Sequence, residues 1–245
     1  MRILEYLQKT KGVSRRDMLE MINEKALLVN GNYVENINFE LKKNDIIEVN
    51  LPSGEVYEEE VTSFPSFKPI IVAFNKPKGC VVSKADKHNK TIYTYLPKSW
   101  KKDFYYIGRL DKYSRGLLLL TNEPSLVDYY ESPKSKILKI YEVKINKPFK
   151  TNHLLKCKKG FDVQDSQDSS KKDFLSFYDV KPFKDKFGKH YLRVLLTEGK
   201  NRHIRRMLEA LDYKVFDLKR VKFGKYELGD IKPGKYQIHK IKNRK

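Results

Sequence analysis

Apolar residues recur along this chain first at helical spacing and then, for most of its length, in runs of strand length. Ile3, Leu4 and Leu7 share one face of a helix expected over residues 2–10. Ser14, followed three residues later by Asp17, opens a second helix as a capping box, with Met18, Met21 and Ile22 turned inward. The run ALLVNGNYV then reads as two strand segments about the Asn30-Gly31 turn, and DIIEV (45–49) as a further strand. A compact helix-helix-hairpin module is therefore expected over residues 1–50.

The pattern changes at residue 51. LPSGEVYEEEVTSFPSF is acidic and irregular, with Pro52, Gly54 and Pro65 breaking any periodicity, and residues 51–68 read as a linker. From residue 69 onward strand-like runs dominate: IIVAF (70–74), YYI (105–107), LLLLT (117–121), IYEVKI (140–145), YLRVLL (191–196) and VKFGKYEL (221–228). Helical pattern is sparser and clearest in NRHIRRMLEALDY (201–213). There Ile204, Met207, Leu208 and Leu211 make the buried stripe and Arg202 and Arg206 lie off it. The polar stretch QDSQDSSKKD (164–173) reads as a surface loop. Many strands, few helices and short connections predict an α+β domain over residues 69–245, built on a mostly antiparallel sheet.

Charge narrows the partners. Lys and Arg number 51 against 31 Asp and Glu, a net +20 that suits a polyanion: RNA, DNA or an anionic membrane. The longest apolar runs, such as Leu117 to Leu120, are far too short to span a bilayer, so nucleic acid leads and no membrane partner is expected. The opening MRILEYLQKT lacks an apolar secretory core, which points to the cytoplasm. Cys80 and Cys157 have no CxxC spacing, and the five histidines are scattered, so neither a disulfide framework nor a metal site is expected. At the start of the second helix Ser14, Arg15 and Arg16 could meet a phosphate, where free N–H groups and the helix dipole favour an anion.

The most informative stretch is GRLDKYSRGLLLLTN (108–122), a glycine-flanked loop carrying Arg109 and Asp111 between two apolar strands. It resembles the catalytic motif of pseudouridine synthases of the ribosomal small-subunit uridine synthase A family. Three further segments match that family in the same order: the Asn75-Lys76-Pro77-Lys78-Gly79 turn, KIYEVKI (139–145), and LTEGKNRHIRRMLEAL (196–211). The first fifty residues are similar to the RNA-binding module named for ribosomal small-subunit protein four. The resemblance implies a pseudouridine synthase fold: a small N-terminal RNA-binding module, then a catalytic domain with a mostly antiparallel mixed sheet flanked by a few helices.

It also implies roles. Asp111 would be the carboxylate that assists breakage of the uracil–ribose bond, as nucleophile or as general base. Arg205, among Arg202, Arg205 and Arg206, would be its cationic partner. Tyr141 would be the ring on which the uracil stacks; among 16 tyrosines and 13 phenylalanines, only the motif singles it out. Stacking is worth about 1–3 kcal/mol per base, comparable with the cost of extruding one. Arg109 would enter the RNA where the nucleotide left, and Ile204 would wall the uracil pocket. Lys76, Lys78, Arg202 and Arg206 would join Ser14, Arg15 and Arg16 as RNA contacts. The reaction is a redox-neutral isomerisation that needs no cofactor. The implied partner is ribosomal RNA, large-subunit RNA before small-subunit RNA, with transfer RNA or a non-catalytic role in ribosome assembly as alternatives; the chain is expected to be a monomer. Departures from the family pattern are Ile140 for Thr, Pro124 for Gly, Lys200 for Arg and His203 for Gln, which bear on loop geometry and target preference.

Overall fold

The computed structural model describes residues 1–50, 56–64, 68–165, 168 and 170–241. The chain divides into two units, Met1–Lys68 and Pro69–Lys245.

In the first unit, helices α1 (Ile3–Thr10) and α2 (Arg15–Asn23) precede strands β1 (Leu27–Val29), β2 (Asn32–Tyr33), β3 (Ile46–Asn50) and β4 (Val56–Glu60), which form one antiparallel sheet in the order β2-β1-β3-β4. The expected capping box is present. The Asp17 N–H donates to the Ser14 hydroxyl at 3.1 Å, and the Ser14 N–H donates to the Asp17 carboxylate at 2.9 Å. Asn30 and Gly31 both take left-handed dihedrals, φ 50° and 74°, as a two-residue hairpin turn requires. Ile3, Leu7, Met18, Leu27 and Ile47 close a core under the sheet.

Strand β4 corrects the reading of residues 51–68 as linker. Its backbone pairs with β3 from Ile46 opposite Glu60 to Asn50 opposite Val56. Its acidic side chains have local partners. The Glu59 carboxylate accepts from the Tyr6 hydroxyl at 2.9 Å and the Tyr57 hydroxyl at 2.6 Å, and pairs with Lys11 at 2.8 Å. Burial and the Glu59 charge push the Tyr6 phenol up to about 12. Charges on an edge strand also discourage edge-to-edge pairing, so an acidic strand is physically reasonable there. Residues 51–55 and 65–67 of that stretch lie outside the described residues.

The second unit runs β5 (Ile70–Lys76), α3 (Trp100–Asp103), β6 (Tyr105–Ile107), β7 (Arg115–Thr121), α4 (Pro124–Glu131), β8 (Lys139–Ile145), α5 (Thr151–Lys159), β9 (Phe161–Gln164), β10 (Lys172–Leu175), β11 (Asp179–Lys184), β12 (His190–Leu196), α6 (His203–Glu209), β13 (Val215–Phe223), β14 (Tyr226–Glu227) and β15 (Tyr236–Lys240). Nine strands make one mixed sheet, ordered β11-β12-β8-β13-β7-β5-β15, with β14 on β13 and β6 on β7. Among the described strand ladders only β7 with β13 is parallel. The expected mostly antiparallel α+β architecture is observed, and β9 with β10 forms a separate hairpin.

The sheet is covered on both faces, which explains the unbroken run LLLLT. Leu118 and Leu120 pack with Met207 and Leu208 of α6, while Leu117 and Leu119 pack on the other side with Phe223 and with Leu126 and Val127 of α4. A strand buried on both faces has no polar alternation to betray it. Helices α4 and α5 and strands β9, β11 and β15 had no separate signal in the sequence reading, being short, half-polar or both. Around QDSQDSSKKD, Gln164 ends β9 and Lys172 begins β10, so the loop is shorter than expected; residues 166, 167 and 169 lie outside the described residues. Among the described residues no helix is long and apolar enough to cross a membrane.

Gly116 is the tight point of the sheet. It sits at φ 100°, and a Cβ there would collide with the Arg220 carbonyl oxygen. The Gly116→Ala substitution should lower the unfolding free energy by more than about 2 kcal/mol through combined strain and clash. Urea denaturation would show it as a lower midpoint at unchanged slope.

Candidate active site

The loop between β6 and β7 is held from beneath by a buried ammonium group. Lys76 ends β5 with no solvent exposure, and its Nζ donates toward the carbonyls of Ser114 at 2.9 Å, Pro77 and Asp111 at 3.1 Å and Lys112 at 3.3 Å. Burial draws its pKa below the ordinary lysine value, and the Cys80 and Asp111 side chains partly oppose that shift. The expected RNA-contact role of Lys76 is thereby corrected: a cation enclosed by carbonyls cannot reach a phosphate. Two backbone bonds tighten the same loop, Gly79 N–H to Lys112 O at 2.8 Å and Ser114 N–H to Asp111 O at 3.0 Å. Gly108 enters the loop at φ 66°, and its N–H donates to the Glu131 carboxylate.

This scaffold presents the Asp111 side chain about one-third exposed, with Oδ2 at 3.7 Å from Arg205 Nε of α6. The contact is an ion pair with no direct hydrogen bond. Ser114, 1% exposed, lies between the two groups, its Oγ at 3.4 Å from Asp111 Oδ2 and at 3.4 Å from Arg205 Nη2. Burial draws the Arg205 pKa down while the Asp111 charge opposes it, and an arginine remains charged throughout the working range. Tyr141 of β8 is 6% exposed and faces the same cleft, a cavity of about 530 Å³ whose wall also includes Asp111, Arg109, Arg202 and Ile204. Three residues distant in sequence, Asp111, Tyr141 and Arg205, thus converge around one cavity.

The remaining expected residues divide. Ile204, 3% exposed, serves both core and cleft wall. Arg109 and Arg202 are exposed at the cleft, and Arg202 takes φ 47° immediately before α6, so the helix begins at His203 and not at residue 201. Lys78 is half-exposed but pairs at 2.7 Å with Asp217, which Arg115 also holds through bonds of 2.7, 3.0 and 3.1 Å. Arg206 is a correction. At 5% exposure it binds the Asp173 carboxylate at 2.8 Å and the carbonyls of Gln164 at 2.8 Å and Val163 at 3.2 Å, which ties α6 to the β9/β10 hairpin and leaves it unavailable to RNA. Ser14, Arg15 and Arg16 are exposed at the head of α2 in the first unit, where the capping box already uses the Ser14 N–H and its hydroxyl oxygen.

Sequence reasoning passed over Ser114, whose small hydroxyl inside the motif carries no signal of its own, and left His203 open between RNA contact and core. The structure places His203 in the core at 3% exposure, with Nε2 at 3.0 Å from the Ser176 carbonyl; burial brings its pKa down to about 4, so the ring is neutral at pH 7 with its proton on Nε2.

The chain belongs to the RNA pseudouridylate synthase family, whose profile matches residues 70–210, a span that contains Asp111, Tyr141 and Arg205. It is 31% identical over 224 residues to the ribosomal large subunit pseudouridine synthase B of Bacillus subtilis, covering 90% of this chain and 86% of that one. It is 26% identical over 224 residues to the ribosomal small subunit pseudouridine synthase A of Haemophilus influenzae, covering 91% and 89%. A crystal structure of a pseudouridylate synthase shares the fold at a TM-score of 0.64 and 23% identity, over 98% of this chain and 96% of that chain.

Replacing Lys76 by Met keeps the length of the side chain and removes the donor. Buried carbonyls left unpaired cost about 1–3 kcal/mol each, so K76M should lose at least about 2 kcal/mol of stability in denaturant titrations.

Proposed function

We propose that this protein converts a uridine of ribosomal RNA to pseudouridine, with large-subunit RNA as its substrate. The observation that carries the reading is the approach of Asp111 to Arg205, 3.7 Å apart, in the cleft walled by Tyr141. The names of the relatives favour ribosomal RNA, and large-subunit synthases recur among them.

In the proposed reaction the target nucleotide leaves its helix and its base lies against the Tyr141 ring, where stacking worth about 1–3 kcal/mol offsets much of the extrusion cost. Asp111 acts on the ribose, as nucleophile or as base, while Arg205, paired with it at 3.7 Å, holds the carboxylate in position. The C1′–N1 bond breaks, the uracil rotates within the cleft beside Ile204, and a C1′–C5 bond forms. The proton lost from C5 is balanced by one gained at N1, so atoms and electrons are conserved without a cofactor. Arg109, exposed beside the loop, fills the gap the nucleotide leaves, and Arg202 and Lys78 contact phosphates. We assign the first unit to RNA binding through Arg15 and Arg16, and place the protein, as a monomer, in the cytoplasm.

Mapping pseudouridines in ribosomal and transfer RNA from cells with and without the gene tests the reading directly: a uridine of large-subunit RNA should lose its modification in the deletion. D111N expressed in that deletion should restore nothing while binding RNA with near wild-type affinity, since one charge in a +20 protein changes. Activity equal to wild type would remove Asp111 from the mechanism.

Arg15→Ala with Arg16→Ala should weaken RNA binding uniformly across sequences. It should also reduce the slope of log affinity against log salt by about 1 to 2, as one or two phosphate contacts are lost.

A further inference from the structure

Two cations are buried in the wall of the cleft with no anion paired to them among the described residues. Arg220 is 2% exposed; its Nε donates to the Leu117 carbonyl at 2.6 Å, and its Nη2 has no hydrogen-bond partner. Lys139 is 9% exposed and forms no ion pair among the described residues. Both lie against one ring, with Arg220 Cζ 4.8 Å and Lys139 Nζ 5.1 Å from the Phe223 centroid. The quadrupole of a single ring offsets far less than the desolvation of two charges costs.

The charged groups around Lys139 are Arg220, Glu131 and Glu198. Neither carboxylate pairs with it: Glu131 accepts the Gly108 N–H, and Glu198 lies 3.8 Å from His203. Burial, with Arg220 adding to it, brings the Lys139 amine down to about 8. A site that suppresses its own charge in this way is one that an arriving anion would restore.

Strand register places these cations beside the proposed base platform. Arg220 stands directly opposite Tyr141, and Phe223 opposite Lys139, on either side of an irregularity between Arg220 and Lys222 that re-aims the β13 side chains. Lys139 and Tyr141 are two residues apart on β8 and so share a face about 7 Å apart. A nucleotide stacked on Tyr141 carries its phosphodiester one sugar away.

We propose that Lys139 and Arg220 form a phosphate seat inside the cleft, gripping the RNA phosphodiester attached to the nucleotide whose base lies on Tyr141. The inference rests on the stacking role given to Tyr141 above. A uracil carbonyl is a weaker fit, because a neutral oxygen accepts hydrogen bonds yet leaves both positive charges unmatched, whereas a phosphate brings the charge as well.

The test follows the Lys139 amine itself, by NMR of full-length protein carrying 13C at the lysine ε-carbons. Its resonance is identified by its loss in Lys139→Met. The amine is titrated alone and with millimolar uridine, inorganic phosphate, uridine 5′-monophosphate or uridine 3′-monophosphate. Inorganic phosphate and at least one monophosphate should raise the Lys139 midpoint from about 8 by roughly one unit or more, and uridine should leave it in place. Arg220→Gln should weaken binding of that nucleotide about tenfold. No shift with any phosphate, or an equal shift with uridine, overturns the seat. Pseudouridine formation in ribosomal RNA is measured on the same protein: absent turnover with the shift intact defeats the proposed reaction and leaves the seat standing, while turnover without the shift does the reverse.

Discussion

The enclosure of one ammonium group by the carbonyls of the 108–114 loop is the constraint on which the rest of this molecule depends. A short loop that turns several carbonyls toward the protein interior needs a donor there, because buried acceptors left unpaired are costly. Lys76 supplies it from the end of β5, and burial draws the pKa of that amine below the ordinary lysine value. The return is a loop whose shape does not wait for RNA. The Asp111 side chain is thereby presented in a fixed place, as the catalytic role proposed for it would need.

The sheet then supplies the surroundings. Because β7 is buried on both faces and approaches β13 closely at Gly116, the platform beneath the loop has little freedom. Tyr141 comes from β8 on the far side of β13, and Arg205 from α6 packed on the same sheet face as Leu118 and Leu120. The cleft is a place where the polar and charged ends of several elements meet, and its unmatched positive charges suit a substrate that is itself a polyanion.

Arg202, Arg205 and Arg206 show how finely position on α6 decides function. Arg202 precedes the helix in a left-handed conformation and remains in solvent; Arg205 turns toward Asp111; Arg206, one residue on and rotated by about 100°, is buried against the β9/β10 hairpin. Identical side chains serve as a surface cation, an ion-pair partner of Asp111 and a structural pin. Composition and net charge treat the three alike, and so does any count of basic residues.

Local pattern determined much of this protein from the sequence alone. The Ser14–Asp17 cap, the Asn30-Gly31 turn, the strand runs and the α6 stripe depend on contacts within a few residues, and each was legible for that reason. The motif around Asp111, read with KIYEVKI and the arginine-rich segment, likewise pointed to the family and its substrate chemistry. What only the tertiary structure decided was which charges are spent inside the fold: Lys76 on carbonyls, Arg206 on a hairpin, Glu59 on Tyr6 and Lys11, and Lys139 and Arg220 on no partner among the described residues. A residue's type gives its charge, but whether that charge is matched depends on groups brought near from elsewhere in the chain, and that is set by packing.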